Sequence, residues 1–314
     1  MLKMKINVAM IVKNEQGCLE KCLKSLKGFD EIFVVDTGST DKTLDILEKY
    51  KCKISHYKWD GNFSNARNFG LAQIPADEWV FIIDADEWLP NGSIKKIKNS
   101  INKRRTNNIF AHVKNVVDGH EHQHLRLFMS GLFYKDAAHN HIPVTDWDWS
   151  DILIMHRPSI NHEKDPKRTL RILQKIIKPT PRELFLLGRE YMNFHKYKNA
   201  IEYLEKYIDV AEPNQLTAEA LLYIAECKFQ LKDNVAARSH CLLAINLSPE
   251  YTEALIAMAT FCDPQQTLTW LKYAEASNNF GVINLHGKQK ERIAEYRKYA
   301  VLAINGKLNN NIEK

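Results

Sequence analysis

Ten residues, Trp79-Val80-Phe81-Ile82-Ile83-Asp84-Ala85-Asp86-Glu87-Trp88, constrain the fold more than any other stretch of the chain. Five apolar residues in a row, Trp79 to Ile83, read as a short strand covered on both faces. The run stops at Asp84, Asp86 and Glu87. A strand buried on both faces belongs to an α/β sheet, and ligands of such sheets bind in the crevice beyond the carboxyl ends of the strands. Two carboxylates one residue apart at that edge repel each other unless a cation joins them. Mg²⁺ and Mn²⁺ take oxygen ligands and bridge to substrate phosphates. The stretch therefore reads as a metal-diphosphate site, weighed against a strand that ends in a solvated acidic turn. Asp-X-Asp alone does not separate the two readings; the neighbouring segments do.

Ile6 to Val12 reads as a strand, and Lys13-Asn14-Glu15 as a polar loop. Cys18, Leu19, Cys22, Leu23 and Leu26 recur at helical spacing, and Gly28 stops that helix. Glu31 to Val35 is a second apolar run, ending at Asp36. Thr40 or Asp41 is placed to cap a helix carrying Leu44, Ile46 and Leu47, and Lys53 to Tyr57 is a third strand. The βαβαβ alternation predicts a parallel sheet with right-handed crossovers. The strand ends at Asn14 and Glu15, at Asp36, and at Asp84 and Asp86 then share one edge. A nucleotide fits across it, its base near the first two strands and its phosphates near the fourth. Asn62 to Gly70 opens another helix, with Ser64 or Asn65 as its cap. That places Arg67 in the first turn, where backbone N–H groups and the helix dipole favour an anion. Its fork geometry suits a phosphate.

Four segments in this order carry a resemblance: Ile11-Val12-Lys13-Asn14-Glu15, Val35-Asp36-Thr37-Gly38-Ser39-Thr40-Asp41-Lys42-Thr43, Phe63-Ser64-Asn65-Ala66-Arg67-Asn68 and Ile83-Asp84-Ala85-Asp86-Glu87. Together they resemble an inverting nucleotide-sugar glycosyltransferase of family two with the GT-A fold. The resemblance covers roughly the first 90 residues. It implies that Val12, Asn14, Glu15 and Asp36 line the nucleoside pocket, with Asp36 near the base. It implies that Arg67 reaches the diphosphate, that Asp84 contacts ribose and that Asp86 holds Mn²⁺ or Mg²⁺. The donor it implies is a nucleotide diphosphate sugar, a UDP-sugar by preference.

Eight of the 12 histidines fall between His112 and His162. His120, His122 and His124 alternate and would share one face of a strand, a spacing a transition metal can use and a polar half-exposed strand more often shows. Relatives in the resembled family often have His-Glu where this chain has His139-Asn140, and asparagine cannot take a proton from an acceptor. Asp146 and Asp148, in Thr145-Asp146-Trp147-Asp148-Trp149, are the candidate bases, with Asp151 just beyond them as a third acid. An acceptor thiol would need little help. Trp147 and Trp149 are candidates to stack on a sugar or base. His156 follows the strand-like run Ile152 to Met155. The resemblance makes it the second metal ligand, with His139 as the alternative.

Lys167 to Lys178 reads as a basic linker helix, and from Pro181 the pattern is helical throughout. Gly188 to Ala225 and Ala200 to Ala237 are both separations of 37 residues. This approximates the tetratricopeptide period of about 34. A third, degenerate unit starts near Ala254. The expected organisation is a GT-A domain over 1–160 (nucleotide half 1–90, acceptor half 91–160), a linker helix over 161–180, repeats over 181–275, and a helix and tail over 276–314. Such arrays bind peptides or self-associate, so a peptide or protein acceptor and a homodimer through the repeats are expected.

The chain has 314 residues and 45% hydrophobic content, enough for two domains. No apolar run approaches the ~18 residues of a membrane span, no signal-peptide pattern opens the chain, and cytoplasmic residence is expected. The six scattered cysteines lack Cys-X-X-Cys spacing and read as reduced thiols. A net charge of +6 suits an anionic ligand and would permit nucleic acid. Three other readings stand beside the peptide acceptor: DNA carrying a hydroxymethylated base, a cell-surface glycan precursor, and a repeat scaffold with a vestigial nucleotide site.

Overall fold

The computed structural model describes residues 5–159, 165–277 and 289–304. The chain divides into two compact units, Met1–Ile172 and Leu173–Lys314.

The first unit is built on one mixed sheet. Its strands are β1 (Ile6–Val12), β2 (Ile32–Asp36), β3 (Lys53–His56), β4 (Trp79–Ile82), β5 (Glu87–Trp88), β6 (Asn108–Asn115), β7 (Glu121–Met129) and β8 (Asp148–His156). Their order is β3-β2-β1-β4-β7-β6-β8-β5. The first four positions are parallel, as the βαβαβ alternation predicts, with Val12 opposite Asp36 and Asp36 opposite His56. Beyond β4 the sheet turns antiparallel through β7 and β6. The two-residue β5 then closes the far edge by pairing Glu87 with His156. That pairing turns the chain after the acids back across the site, where the sequence suggested only a turn.

Helices α1 (Leu19–Ser25), α2 (Thr43–Lys49), α3 (Phe63–Leu71) and α4 (Ser93–Lys103) cover the sheet. One face packs Val8, Met10, Leu19, Leu23, Trp79, Phe81, Ile97 and Ile101 into the main core. The other buries Ala9, Phe33, Val80, Ile82 and Phe128. Both faces of β4 are thus covered, which is why its four residues are all apolar. Two caps differ from expectation. Asn62, not Ser64 or Asn65, caps α3 by accepting the Asn65 N–H, so Arg67 falls in the second turn. Lys42 is the N-cap residue of α2, and the Asp41 carboxylate instead accepts from the Thr43 N–H and hydroxyl.

The second unit is helical. α5 (Arg168–Gln174) runs across the division between the units. The helices that follow pair as α6 (Pro181–Asn193) with α7 (Tyr197–Ile208), α8 (Gln215–Gln230) with α9 (Asn234–Leu247), and α10 (Thr252–Phe261) with α11 (Pro264–Ala276); α12 (Gln289–Ile304) packs on α11. The hairpins are tetratricopeptide-like. His195 and Lys232, at the first two turns, both take φ near +60°, at +55° and +67°. Thr180, Asn214, Asp233 and Asp263 cap α6, α8, α9 and α11. The expected tail at Asn309-Asn310-Asn311 lies outside the described residues.

Gly188 explains the spacing noted in the sequence. A Cβ there would lie 2.5 Å from Leu204 Cγ and 3.2 Å from the Ala200 carbonyl oxygen, so α6 and α7 approach through it. Overpacking of this kind costs about 1–3 kcal/mol. The helix-propensity gain from glycine to alanine returns at most about 1 kcal/mol. Gly188→Ala is expected to be a net destabilisation of the helical unit by about 1–2 kcal/mol, read as a lower urea midpoint with an unchanged slope.

Candidate active site

The carboxyl edge of β1, β2 and β4 gathers the polar strand ends, and two clefts open beside the Asp84-Ala85-Asp86 turn. One, of about 680 Å³, is lined by Asn14, Glu15, Cys18, Thr40, Asp86 and Arg157, among others. The second, of about 630 Å³, is lined by Arg67, Asp84, Arg126, His139, His141 and Trp147, among others. The two acids therefore line different clefts, because the chain turns at Ala85 and Asp86 instead of continuing as a strand, in which positions two apart would share a face.

Asp86 is 5% exposed, and its Oδ2 accepts the Ser159 N–H at 3.1 Å. The same oxygen lies 3.3 Å from His156 Nε2. The Glu87–His156 pairing of β5 with β8 makes that approach. The Asp86 hydrogen bond raises the His156 pKa above its ordinary value. His139 lines the Asp84 cleft instead, so the structure brings His156 to Asp86 and leaves His139 on the other side of the turn.

Asp84 sits among alternating charges. Arg67 Nη2 donates to its Oδ1 at 2.8 Å, and Arg126 Nη1 lies 3.8 Å from its Oδ2. Arg126 Nη2 donates to Glu87 Oε1 at 2.6 Å, while Glu87 Oε2 accepts the Asp84 N–H at 2.8 Å. Burial alone would raise the Asp84 carboxyl, but the Arg67 and Arg126 guanidiniums outweigh it and hold it well below the usual carboxylate range. Arg126 and Glu87 are 7% and 3% exposed. Neither was a candidate from the sequence. A slip in register brings Arg126 there: Ile109 faces Leu127 and Phe110 faces Leu125, so Arg126 is the extra, bulged residue of β7. Bulges redirect a side chain in this way, and nothing in Leu125-Arg126-Leu127-Phe128 announces one.

Asn14 adopts φ +56°, its N–H donates to Ser39 Oγ and its Oδ1 accepts the Thr40 N–H. The Glu15 N–H donates to Thr43 Oγ1. These bonds clamp the β1 loop to the β2 loop. Asp36 is buried beneath that second loop, where its carboxylate accepts the Gly38 and Ser39 N–H groups. The Val12 carbonyl accepts from Thr37. Asp36 and Val12 thus hold the loop and line neither cleft.

The acids of the tryptophan segment are placed differently from expectation. The Asp148 carboxylate accepts from the Arg105 and Thr106 N–H groups and from Arg105 Nε. Those donors, the Thr106 amide first, lower its pKa despite some burial. Asp146 Oδ1 accepts from Asn108 Nδ2. Neither acid lines the Asp84 or the Asp86 cleft. Trp147 lines the Asp84 cleft, whereas Trp149 faces a third cleft with Lys96, Lys103 and Arg104. Phe110 contacts both indoles, with ring centroids 5.7 and 5.2 Å away. His122 and His124 lie on β7 with their rings edge to face at 4.6 Å. Among the described residues, no three His, Cys, Asp or Glu side chains are arranged to hold a metal ion. All six cysteines are free thiols, and no helix among the described residues is long and apolar enough to cross a membrane.

A parallel half, an Asp-X-Asp turn at its carboxyl edge and an antiparallel extension that returns a histidine to that turn make up the frame of the site. The Glycosyl transferase family 2 profile matches residues 7–202, and the chain belongs to that family. Over 229 residues it is 29% identical to the SPbeta prophage-derived glycosyltransferase SunS of Bacillus subtilis, a match covering 65% of this chain and 53% of SunS. It is also 35% identical over 92 residues to the lipopolysaccharide core biosynthesis glycosyltransferase LpsC of Rhizobium meliloti, covering 28% of this chain and 33% of LpsC. A TPR repeat-containing protein of Synechococcus elongatus is 41% identical over 85 residues, 27% of this chain and 21% of that protein. The chain thus spans about half, or less, of the length of these curated relatives. Among solved structures, S. aureus TarS 1–349 aligns over 96% of this chain and 92% of its own at 16% identity, with a TM-score of 0.42.

Proposed function

We propose that the protein is a metal-dependent inverting glycosyltransferase that moves a sugar from a UDP-sugar to a peptide or protein side chain. The observation that carries the proposal is the Asp84-Ala85-Asp86 turn at the carboxyl edge of β4, with Arg67 paired to Asp84 on one side and His156 beside Asp86 on the other. The family membership is consistent with it. The domain that does this work is assigned to 1–160, followed by the linker helix 161–180, the repeats 181–275 and the terminal segment 276–314.

Asp86 and His156 fit a divalent ion. An imidazole nitrogen and a carboxylate oxygen face each other at 3.3 Å, which supplies two ligands and leaves the remainder to water and diphosphate oxygens. Mg²⁺ and Mn²⁺ are commonly held in this way, by few protein ligands and substrate phosphates. When bound, such an ion supplies Lewis-acid stabilisation of the leaving diphosphate. The chain's own groups do the rest. Asn14 and Glu15 line the cleft on the Asp86 side and fix the loop against which a nucleoside lies. Asp84, kept ionised by two arginines, is an acceptor for ribose hydroxyls. Arg67 adds positive charge in the Asp84 cleft, and its buried Nε has no hydrogen-bond partner among the described residues. Preformed charge of this kind stabilises the charge that develops as the diphosphate leaves. Trp147 gives the same cleft an aromatic wall for the sugar or acceptor. The tetratricopeptide-like hairpins are the reason to prefer a peptide acceptor, since such arrays present extended binding surfaces.

Thermal unfolding with UDP, GDP, CDP and TDP, each with and without Mn²⁺, tests the donor. A ligand that binds only the folded state at 100 times its Kd adds about 2.7 kcal/mol. The expected result is a Mn²⁺-dependent rise in melting temperature with UDP. Well-folded protein that responds to none of the four would remove the transferase reading and favour a scaffold.

A further inference from the structure

The Asp84 cleft contains an arrangement that the sequence did not suggest. Residues Lys135 to His141 form a closed turn: the Lys135 N–H donates to the His141 carbonyl at 2.8 Å and the His141 N–H returns to the Lys135 carbonyl at 3.2 Å. Inside that turn Asp136, at φ +69°, places Oδ2 3.0 Å from His141 Nδ1. The Asp136 side chain is 11% exposed and the His141 side chain 40%. A sheltered carboxylate therefore faces, at ion-pair distance, an imidazole that lines the cleft.

The turn is fastened to α3, the helix that carries Arg67. The Ser64 hydroxyl donates to the Asp136 carbonyl at 2.5 Å, and the Phe63 N–H donates to the Ala137 carbonyl at 2.9 Å. Asn68 closes a two-way clamp on Tyr134, with Nδ2 donating to its carbonyl at 3.0 Å and Oδ1 accepting its N–H at 2.7 Å. One rigid element thus sets the distance between Arg67, which pairs with Asp84, and the His141 turn. Fixed geometry of this kind is what a proton acceptor in a group-transfer site requires.

We infer that His141, oriented by Asp136, is the general base that takes the proton of the attacking acceptor group. The inference rests on the transferase reading above. A carboxylate at ion-pair distance from Nδ1 favours a proton on that nitrogen, which leaves the basic lone pair on Nε2. The same logic, a base oriented by a third group, recurs in nucleophile activation on unrelated folds. It answers the problem posed by Asn140, which cannot act as a base, and by Asp146 and Asp148, which line neither cleft. The step balances as follows. The acceptor hydroxyl or thiol loses its proton to His141 Nε2 as its oxygen or sulfur bonds to the anomeric carbon. The bond from that carbon to the diphosphate oxygen breaks, and its electron pair leaves on UDP. The imidazolium then releases the proton to solvent.

The test uses the full chain with Mn²⁺ and measures UDP release from UDP-glucose, UDP-galactose and UDP-N-acetylglucosamine, with water as the acceptor. His141→Gln is expected to lower kcat by about 10²–10⁴-fold, the range for loss of a general base. KM for the nucleotide sugar and the melting-temperature rise with UDP should remain at their wild-type values. His141→Gly should recover part of its rate with added imidazole. As a positioning residue, Asp136 should give a smaller fall in kcat when changed to Asn, and Asp136→Glu should restore most of it. A His141→Gln protein with wild-type turnover overturns the inference. So does a His141→Gly protein that binds UDP yet ignores imidazole, and so does a wild type that binds UDP but turns over none of the three sugars. A wild type that binds no nucleotide at all instead overturns the transferase reading.

Discussion

Asp86→Ala is expected to reduce sugar transfer by about 10³-fold, the rate equivalent of the several kcal/mol that a metal contributes to a departing diphosphate. Asp86 is the carboxylate that faces His156 at 3.3 Å, and no other acid in the Asp86 cleft stands opposite that histidine at such range among the described contacts. The same substitution should abolish the Mn²⁺-dependent part of the melting-temperature rise with UDP while sparing any metal-independent part. It should not unfold the protein, because removing the Asp86 carboxylate gives up its bonds to the Ser159 N–H and to His156 but leaves the Arg126–Glu87 pair intact. Isothermal titration with UDP and Mn²⁺, next to turnover, checks both statements. An Asp86→Ala protein that keeps its metal response would remove Asp86 from the metal site.

Arg126→Met has the second-largest expected effect, and it falls on stability. Arg126 and Glu87 are almost wholly buried, and the guanidinium also faces Asp84. Truncating one partner of a buried ion pair costs about 3–5 kcal/mol, because the remaining charge is left without compensation. For a unit of this size that corresponds to a fall of roughly 6–20 °C in melting temperature. The double variant Arg126→Met with Glu87→Gln should recover part of the loss, since the amide oxygen can still accept the Asp84 N–H that Glu87 Oε2 now takes. If the single variant melts with the wild type, the pair is not what holds the Asp-X-Asp turn. A double variant no more stable than the single one would show that the cost comes from lost packing and not from an isolated charge.

The two predictions separate two kinds of acid within one four-residue stretch. In the proposed reaction Asp86 serves the ligand, whereas Glu87 serves the fold through Arg126. Asp84 belongs to both: Glu87 accepts its backbone N–H, and its side chain faces the cleft between two arginines. Sequence spacing cannot make that distinction, because all three are acids at the end of the same strand.

What the sequence determined by itself is the parallel half of the sheet and the polar edge it creates. Strand and helix periodicity placed Ile6–Val12, Ile32–Asp36 and Trp79–Ile82 with little error. A parallel arrangement of such strands necessarily brings their carboxyl ends together. The 37-residue recurrence of Gly188, Ala200, Ala225 and Ala237 likewise fixed the helical hairpins, because close helix approach demands small residues at matching positions. Tertiary structure decided the remainder. A one-residue register slip aimed Arg126 at Glu87, pairing of β5 with β8 brought His156 to Asp86, and the closed turn from Lys135 set Asp136 against His141. Each depends on contacts between residues 5 to 70 positions apart along the chain. Asp148 shows the converse: an acid in a suggestive aromatic segment is taken up by the amides of Arg105 and Thr106. Local periodicity records which face a residue turns to the core. It carries no record of which strand will pair at an edge or where a ladder will slip, and those two events placed His156 and Arg126.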